Sequence, residues 1–211
     1  MHSNAKLSTR YNTPFRQAQR DLTRSRIRNA ARDLFHEKHY DTTTMDEIAM
    51  AAGLRRSTLY LHYKDKAEIL RDVIDDYTPS AIAVLSTLKG PEPSLDDLYK
   101  WIKRVAKFIA RERVPLSIIR EARDRDRGTA EFQSLINQLL AGIGTRCPKF
   151  MEASQADADP AVRARGLILL EELTFVCNVF LENTSDERGK AMLRMAAEDF
   201  HAFIAGPDRR G

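Results

Sequence analysis

Residues 44–66 read TMDEIAMAAGLRRSTLYLHYKDK, and their spacing predicts two short helices joined by a tight turn, followed by a basic, aromatic-rich segment. Thr44, with Glu47 three residues later, makes a capping box that opens the first helix. Gly53 supplies a turn residue that reaches a left-handed backbone at little cost. Ala49, four residues before it, is the small residue needed where two helices touch, and Ile48, Ala52, Leu54 and Leu59 supply an inward apolar set. Arg55, Arg56, Ser57, Thr58, Tyr60 and His62 are left to face outward. Those side chains can donate to phosphate oxygens or base edges, and arginine can hold guanine through two parallel bonds. A helix-turn-helix of this form places its second helix in the major groove of DNA. On spacing alone, the alternative is an ordinary surface helical hairpin.

Working outward, residues 1–22 lack helical periodicity and read as a flexible arm carrying Lys6, Arg10, Arg16 and Arg20. From Thr23 onward Ile27, Ala30, Ala31, Leu34 and Phe35 share one face at helical spacing. A third helix is expected from about Arg55 to Tyr63, and Asp65 with Glu68 opens a fourth that should end near Pro79. KGPEPS (89–94) is the clearest break in the chain. Beyond it every segment is again helical. One face carries Leu98, Trp101, Ile102, Val105, Phe108 and Ile109; another begins after Pro115 with Leu116 and Ile119; a third carries Phe132, Leu135, Ile136, Leu139 and Ile143 before Gly142, Gly144 and Pro148 end it. Asp159-Pro160 starts a helix bearing Leu169, Leu170, Leu173, Val176, Cys177 and Phe180. A last helix, capped near Ser185, bears Met192, Met195, Ala196, Phe200 and Phe203. The predicted fold is all-α with about nine helices: an arm (1–22), a three-helix head (23–72) and a helical bundle (73–211).

Composition narrows the function. Of 211 residues 43% are apolar and 30% charged, and no apolar run approaches the length that crosses a bilayer. The first 22 residues have no secretory apolar stretch, and Cys147 and Cys177 lack metal-type spacing, which suits a reducing cytoplasm and free core thiols. The net charge of +4 is unevenly placed: residues 1–72 hold 14 Lys and Arg against 9 Asp and Glu, and the remainder 20 against 21. A basic end on a near-neutral body is what phosphate binding requires. There is no Gly-rich phosphate loop, HExxH motif or nucleophile elbow, and His36 and His39 have no third ligand beside them. Neither catalysis, cofactor nor metal is expected.

Residues 24–70 resemble the N-terminal DNA-binding domain of the TetR family of bacterial transcriptional regulators. The resemblance runs through RSRIRNAARDLF (24–35), YDTTTMDEIAMAAGL (40–54) and STLYLHYKDKAEIL (57–70). It implies that Thr44 caps the second helix and contacts a phosphate, that Tyr60 and Lys66 clamp the DNA backbone, and that residues 55–58 and His62 lie in or beside the major groove. Three positions depart from the family pattern. Arg55 stands where a small capping serine is usual, His39 where glycine is usual, and Tyr63 where phenylalanine is usual; the tyrosine hydroxyl is expected to find a phosphate or a backbone partner.

For the rest of the chain the resemblance is loose, although residues 111–132 resemble one common subtype. It implies an effector-binding and dimerisation domain whose last two helices pair with their twins in a four-helix bundle. Leu169, Leu173, Val176, Phe180, Met192, Ala196, Phe200 and Phe203 are the candidate dimer interface. Trp101, Phe108, Ile119, Phe132, Leu139 and Phe175 are candidates for the effector pocket, with plain core as the alternative for each. Arg120 and Glu121 could orient a polar ligand group or form a salt bridge. The expected protein is a cytoplasmic homodimer with no membrane partner, which binds a pseudo-palindromic site in double-stranded DNA and is released by an unidentified small-molecule effector. It would act as a repressor. The alternatives are a sequence-tolerant DNA organiser and a helical enzyme or interaction module reusing the fold.

Overall fold

Side-chain caps and prolines set the helix boundaries. The computed structural model describes residues 14–112 and 130–206, within which the regular elements are nine helices. They are α1 (Pro14–Lys38), α2 (Met45–Ala51), α3 (Arg56–Tyr60), α4 (Lys66–Leu85), α5 (Leu95–Glu112), α6 (Ala130–Gly144), α7 (Pro148–Ser154), α8 (Pro160–Glu182) and α9 (Glu187–Ala205). Pro14, Pro148 and Pro160 each stand first in a helix, where a missing N–H removes no intrahelical bond. The Asp65 carboxylate accepts from the Glu68 N–H at 2.7 Å, and Asp159 accepts from Ala161 N–H at 2.9 Å. Asp186, one residue beyond the expected cap, accepts from Arg188 N–H at 3.1 Å.

Two expectations are corrected here. Residues 14–22 are helix rather than arm, while residues 1–13 lie outside the described residues. This part of α1 is exposed throughout, and its short apolar face of Phe15, Ala18 and Leu22 is left in solvent; Arg, Gln and Ala favour the helix, and Gln17 donates to Asp21 one turn on at 2.8 Å. Pro79, expected to end α4, lies inside it. Its ring faces solvent, and the Thr78 hydroxyl donates to the Ile74 carbonyl at 2.7 Å just before it.

There are two apolar cores. Ile27, Ala31, Phe35, Ile48, Leu59, Tyr63, Ile69 and Val73 belong to the head, formed by α1–α3 and the start of α4. The body core gathers the end of α4 with α5–α9, and Ile74 packs against both. Trp101 lies at the centre of the body, its indole N–H donating to the Leu85 carbonyl at 3.2 Å and its ring 5.5 Å from Phe200. Where α6 ends, a Cβ on Gly144 would stand 2.5 Å from the Met151 backbone nitrogen, so only glycine admits α7 so closely.

The body also redistributes the predicted site residues. Trp101, Phe108 and Leu139 are buried in the common core, and Phe132 packs against it. Phe175 is instead 58% exposed, which removes it from any internal pocket of one chain. Ile119, Arg120 and Glu121 lie outside the described residues. Among the interface candidates Leu169, Leu173, Val176, Phe180, Ala196 and Phe200 are buried within a single chain, and Met192 and Phe203 partly so. These six are turned into the body core rather than to solvent, Phe200 against the rings of Trp101 and Phe150. The apolar side chains that α8 and α9 leave outside are Ile168 (55%), Phe175 and Met195 (61%). Ile168 and Phe175 are seven residues apart on one face of α8 and flank Glu172. Arg165, on the same side of that helix, pairs with Asp199 of α9 at 2.8 Å.

Candidate nucleic-acid interface

The end of α1 is built from polar residues that satisfy its last carbonyls. His39 takes a left-handed φ of 67°, the conformation expected where the family pattern has glycine. The Thr43 hydroxyl donates to the His39 carbonyl at 2.8 Å, and the Thr42 hydroxyl donates to that of Lys38. Lys66 reaches across from the start of α4. Its ammonium donates to the carbonyls of Tyr40, of Asp41 at 3.2 Å and of Thr43 at 2.6 Å, and it lies 4.3 Å from the Tyr40 ring centroid. An ammonium has three hydrogens, and three carbonyls receive them. Lys66 thus braces the turn that carries Thr44, and a phosphate contact through its ammonium requires exchange of one of these acceptors.

Thr44 caps α2 as expected. Its hydroxyl accepts from the Glu47 N–H at 3.2 Å, while the Glu47 carboxylate accepts from the Thr44 N–H at 2.9 Å. Lys38 donates to the other carboxylate oxygen at 2.7 Å. These bonds, Lys38 first and then the Thr44 N–H and hydroxyl, hold the Glu47 carboxyl down to about 2.

The turn between α2 and α3 passes through Gly53 at φ 65°, and Leu54 N–H returns to the Ala49 carbonyl at 2.8 Å. Arg26 of α1 completes it: its guanidinium donates to the Ala52 carbonyl at 2.7 Å and lies 3.0 Å from where a Gly53 Cβ would stand. A cation at the carbonyl end of α2 also complements the helix dipole. Sequence reading missed Arg26, because its partner is 26 residues away and no local pattern joins them.

Helix α3, the candidate recognition helix, is one short turn anchored by buried Leu59. Arg55 occupies its N-cap with no side-chain cap bond, as its replacement of serine implies. Its guanidinium has no carboxylate partner among the described residues. Arg56 is held at 2.5 Å by Asp46 of α2 and lies 5.5 Å from the Tyr60 ring. Ser57 and Tyr60 are exposed, and Thr58 and His62 partly so. Burial, and then the nearby Arg20 and Arg24, lower the His62 pKa, and its Nδ1 has no partner.

Tyr63 corrects one expectation: its hydroxyl donates to the Asp72 carboxylate of α4 rather than to a phosphate or the backbone. Arg24 lies over its ring at 4.4 Å and pairs with Asp72 at 3.3 Å, and Arg28 pairs with Asp76 at 2.9 Å. The extra hydroxyl therefore joins an ionic clamp between α1 and α4. Burial, with Asp72, pushes its pKa above the usual tyrosine range. Among the described residues no group of three or more His, Cys, Asp or Glu could hold a metal ion.

Comparison with known proteins agrees with this geometry. Residues 27–73, from the buried Ile27 of α1 to Val73 of α4, match the bacterial regulatory proteins of the tetR family. The chain is 33% identical over 79 residues to the biofilm operon icaADBC HTH-type negative transcriptional regulator IcaR of Staphylococcus epidermidis. It is 37% identical over 51 residues to the HTH-type transcriptional regulator AcrR of Shigella flexneri. These matches take in 37% and 24% of this chain and span 43% and 24% of the relatives' own lengths. Over longer spans the likeness is one of fold. A tetR-family regulator from Streptomyces coelicolor superposes with a TM-score of 0.63 at 16% identity, over 88% of this chain and 81% of its own. One from Marinobacter aquaeolei gives 0.64 at 16%, over 87% and 97%. The capped helix-turn-helix and its family match identify residues 27–73 as a domain of the tetR-family type, and the all-α body shares its fold with solved regulators of that family.

Proposed function

We propose that the chain is a homodimeric transcriptional repressor that binds a pseudo-palindromic operator in double-stranded DNA and is released by a small-molecule effector. The observation that carries this reading is the outer face of α3. Arg55, Arg56, Ser57 and Tyr60 stand exposed on a helix fixed by the α2 capping box, the Gly53 turn and the Arg26 bond. A positioned set of donors is what base and phosphate contacts require. The name of the S. epidermidis relative, a negative regulator, supports repression. The exposed Ile168, Phe175 and Met195 support pairing through α8 and α9, which would set two recognition helices about 34 Å or a multiple of it apart.

Effector response would run through α4, which among the described residues is the helix shared by both cores. An effector that prefers the arrangement with misplaced heads by about 100-fold, roughly 2.7 kcal/mol, suffices for useful release. The test is selection of duplexes from a random pool by the full chain at about 150 mM salt. A palindromic consensus is the expected result. Retention of DNA without any consensus would replace this reading with that of a sequence-tolerant organiser, and no retention at all would remove DNA from it.

A further inference from the structure

The inward stripe of α1 changes chemistry along its length. Phe35, Ala31 and Ile27 are buried in the head core, spaced by four. Continued toward the N-terminus at the same helical spacing, the stripe passes through Arg24, Arg20 and Arg16. The apolar residues thus give way to arginine where the head core ends. Arg24 marks the crossover, with its guanidinium over Tyr63, three residues past the end of α3, and its charge committed to Asp72. Arg20 and Arg16 follow at about 6 and 12 Å along the axis by the helical rise. Both are exposed, and neither has a carboxylate partner among the described residues. Asp21, the acid nearest in sequence, lies off the stripe and accepts from Gln17 at 2.8 Å. The field of Arg20 also reaches His62, which it helps to lower after burial does. These two cations are therefore continuous with the recognition helix.

We infer that Arg20 and Arg16 form a second phosphate-binding strip, carried on a rigid helix, that grips the DNA backbone beyond the segment addressed by α3. This rests on the DNA-binding reading above. The occupant is the phosphodiester backbone rather than an acidic protein because the strip adjoins the recognition helix and presents charge alone, the exposed Phe15 and Leu22 lying about 100° or more round the helix from it. Phosphate contacts position a protein without reading sequence. A fixed helix also loses less conformational freedom on binding than an arm ordered by the encounter.

The test measures affinity of the full chain for its selected duplex, and for a scrambled one, between about 50 and 300 mM salt. Each phosphate contact contributes about 0.9 to the slope of log affinity against log salt. The double variant Arg16→Ala, Arg20→Ala is expected to flatten that slope by about 1.8 per chain, or about 3.6 for a dimer. The ratio of selected to scrambled binding should stay within about twofold, because the lost contacts carry no sequence information. Arg16→Lys with Arg20→Lys should restore most of the slope. An unchanged slope in the alanine variant overturns the inference, whether affinity falls or not, and leaves the strip to an acidic partner. Equal flattening in the lysine variant also overturns it, since position rather than charge would then matter. If the unaltered chain binds no duplex, the DNA reading fails first and this inference with it.

Discussion

Arg55 and Arg56 are neighbours of identical chemistry held very differently. Asp46 fixes Arg56 against α2, while Arg55 projects from the N-cap of α3 without a carboxylate partner among the described residues. A guanidinium that need not abandon an ion pair is the better base reader. Arg55→Ala is therefore expected to relax preference at one position of each half-site by roughly 1–3 kcal/mol. Arg56→Ala should weaken binding to all duplexes alike. Affinities for the consensus and its singly substituted versions would tell; uniform loss in both variants would refute the assignment. Glu47 makes a second test possible at this scale. Its carboxyl is held from an ordinary 4.5 down to about 2, so it is deprotonated in the folded head when the unfolded chain has begun to bind a proton. Its contribution to stability is complete above 4.5 and is lost as pH falls toward about 2. Urea unfolding across that window should show a steeper fall in the unaltered chain than in Glu47→Gln, and parallel curves would mean the carboxylate contributes nothing. The capping box could be read in the sequence because Thr44 and Glu47 alone decide it; His39 and Tyr63 could be read only through the resemblance, which has glycine and phenylalanine at those positions. The Arg26 bond and the carbonyl cage around Lys66 could not, because each joins side chains more than 20 positions apart to backbone atoms that carry no residue-specific signal.

At the scale of elements, α4 is the link between head and body, and it contains a proline. Ile69, Leu70 and Val73 lie in one core and Ala81 and Leu85 in the other, with Pro79 between them. Proline has no N–H for the Asp75 carbonyl, so the ladder of α4 is interrupted close to the junction. Pro79→Ala restores that bond at an exposed position and is expected to stabilise the chain by roughly 1–3 kcal/mol, an upward shift in Tm of several degrees. Calorimetry, with hydrogen exchange at residues 75–83, would check both the gain and its place. A lower Tm would show instead that the packing of α4 depends on the proline. Periodicity located most helices because each apolar face packs once against a core. It failed at residues 14–22, where the short face of Phe15, Ala18 and Leu22 stays exposed among polar residues and is too brief to stand out, and at Pro79, where a terminator tolerated on a solvent-facing turn reads like an end.

The whole molecule presents a question that periodicity could not answer. Leu169, Leu173 and Val176 are as apolar as Ile168 and Phe175, and only the packed body separates the first set, buried within one chain, from the second, left outside. Sequence alone assigned the inward set to the dimer and Phe175 to a pocket. The exposed set predicts that Phe175→Glu, which places a carboxylate on the face of α8 that carries Ile168 and Glu172, yields a folded monomer. Sedimentation should show a dimer for the unaltered chain at micromolar concentration and a monomer for the variant. Operator affinity should fall by about 100-fold or more as the second head is lost from the same site. A variant that remains dimeric would send the interface elsewhere. The two native thiols have a use of another kind. Burial pushes Cys147 up to about 11 and Cys177 up to about 12, and neither is accessible in the folded chain. Toward an alkylating dye at neutral pH both are silent. A cysteine introduced at Leu61, on the exposed surface just past the recognition helix, would be the sole reactive thiol of each chain. In a dimer it would carry one reporter per head, and the distance between two reporters would make the separation of the recognition helices a quantity read directly in solution, with and without DNA.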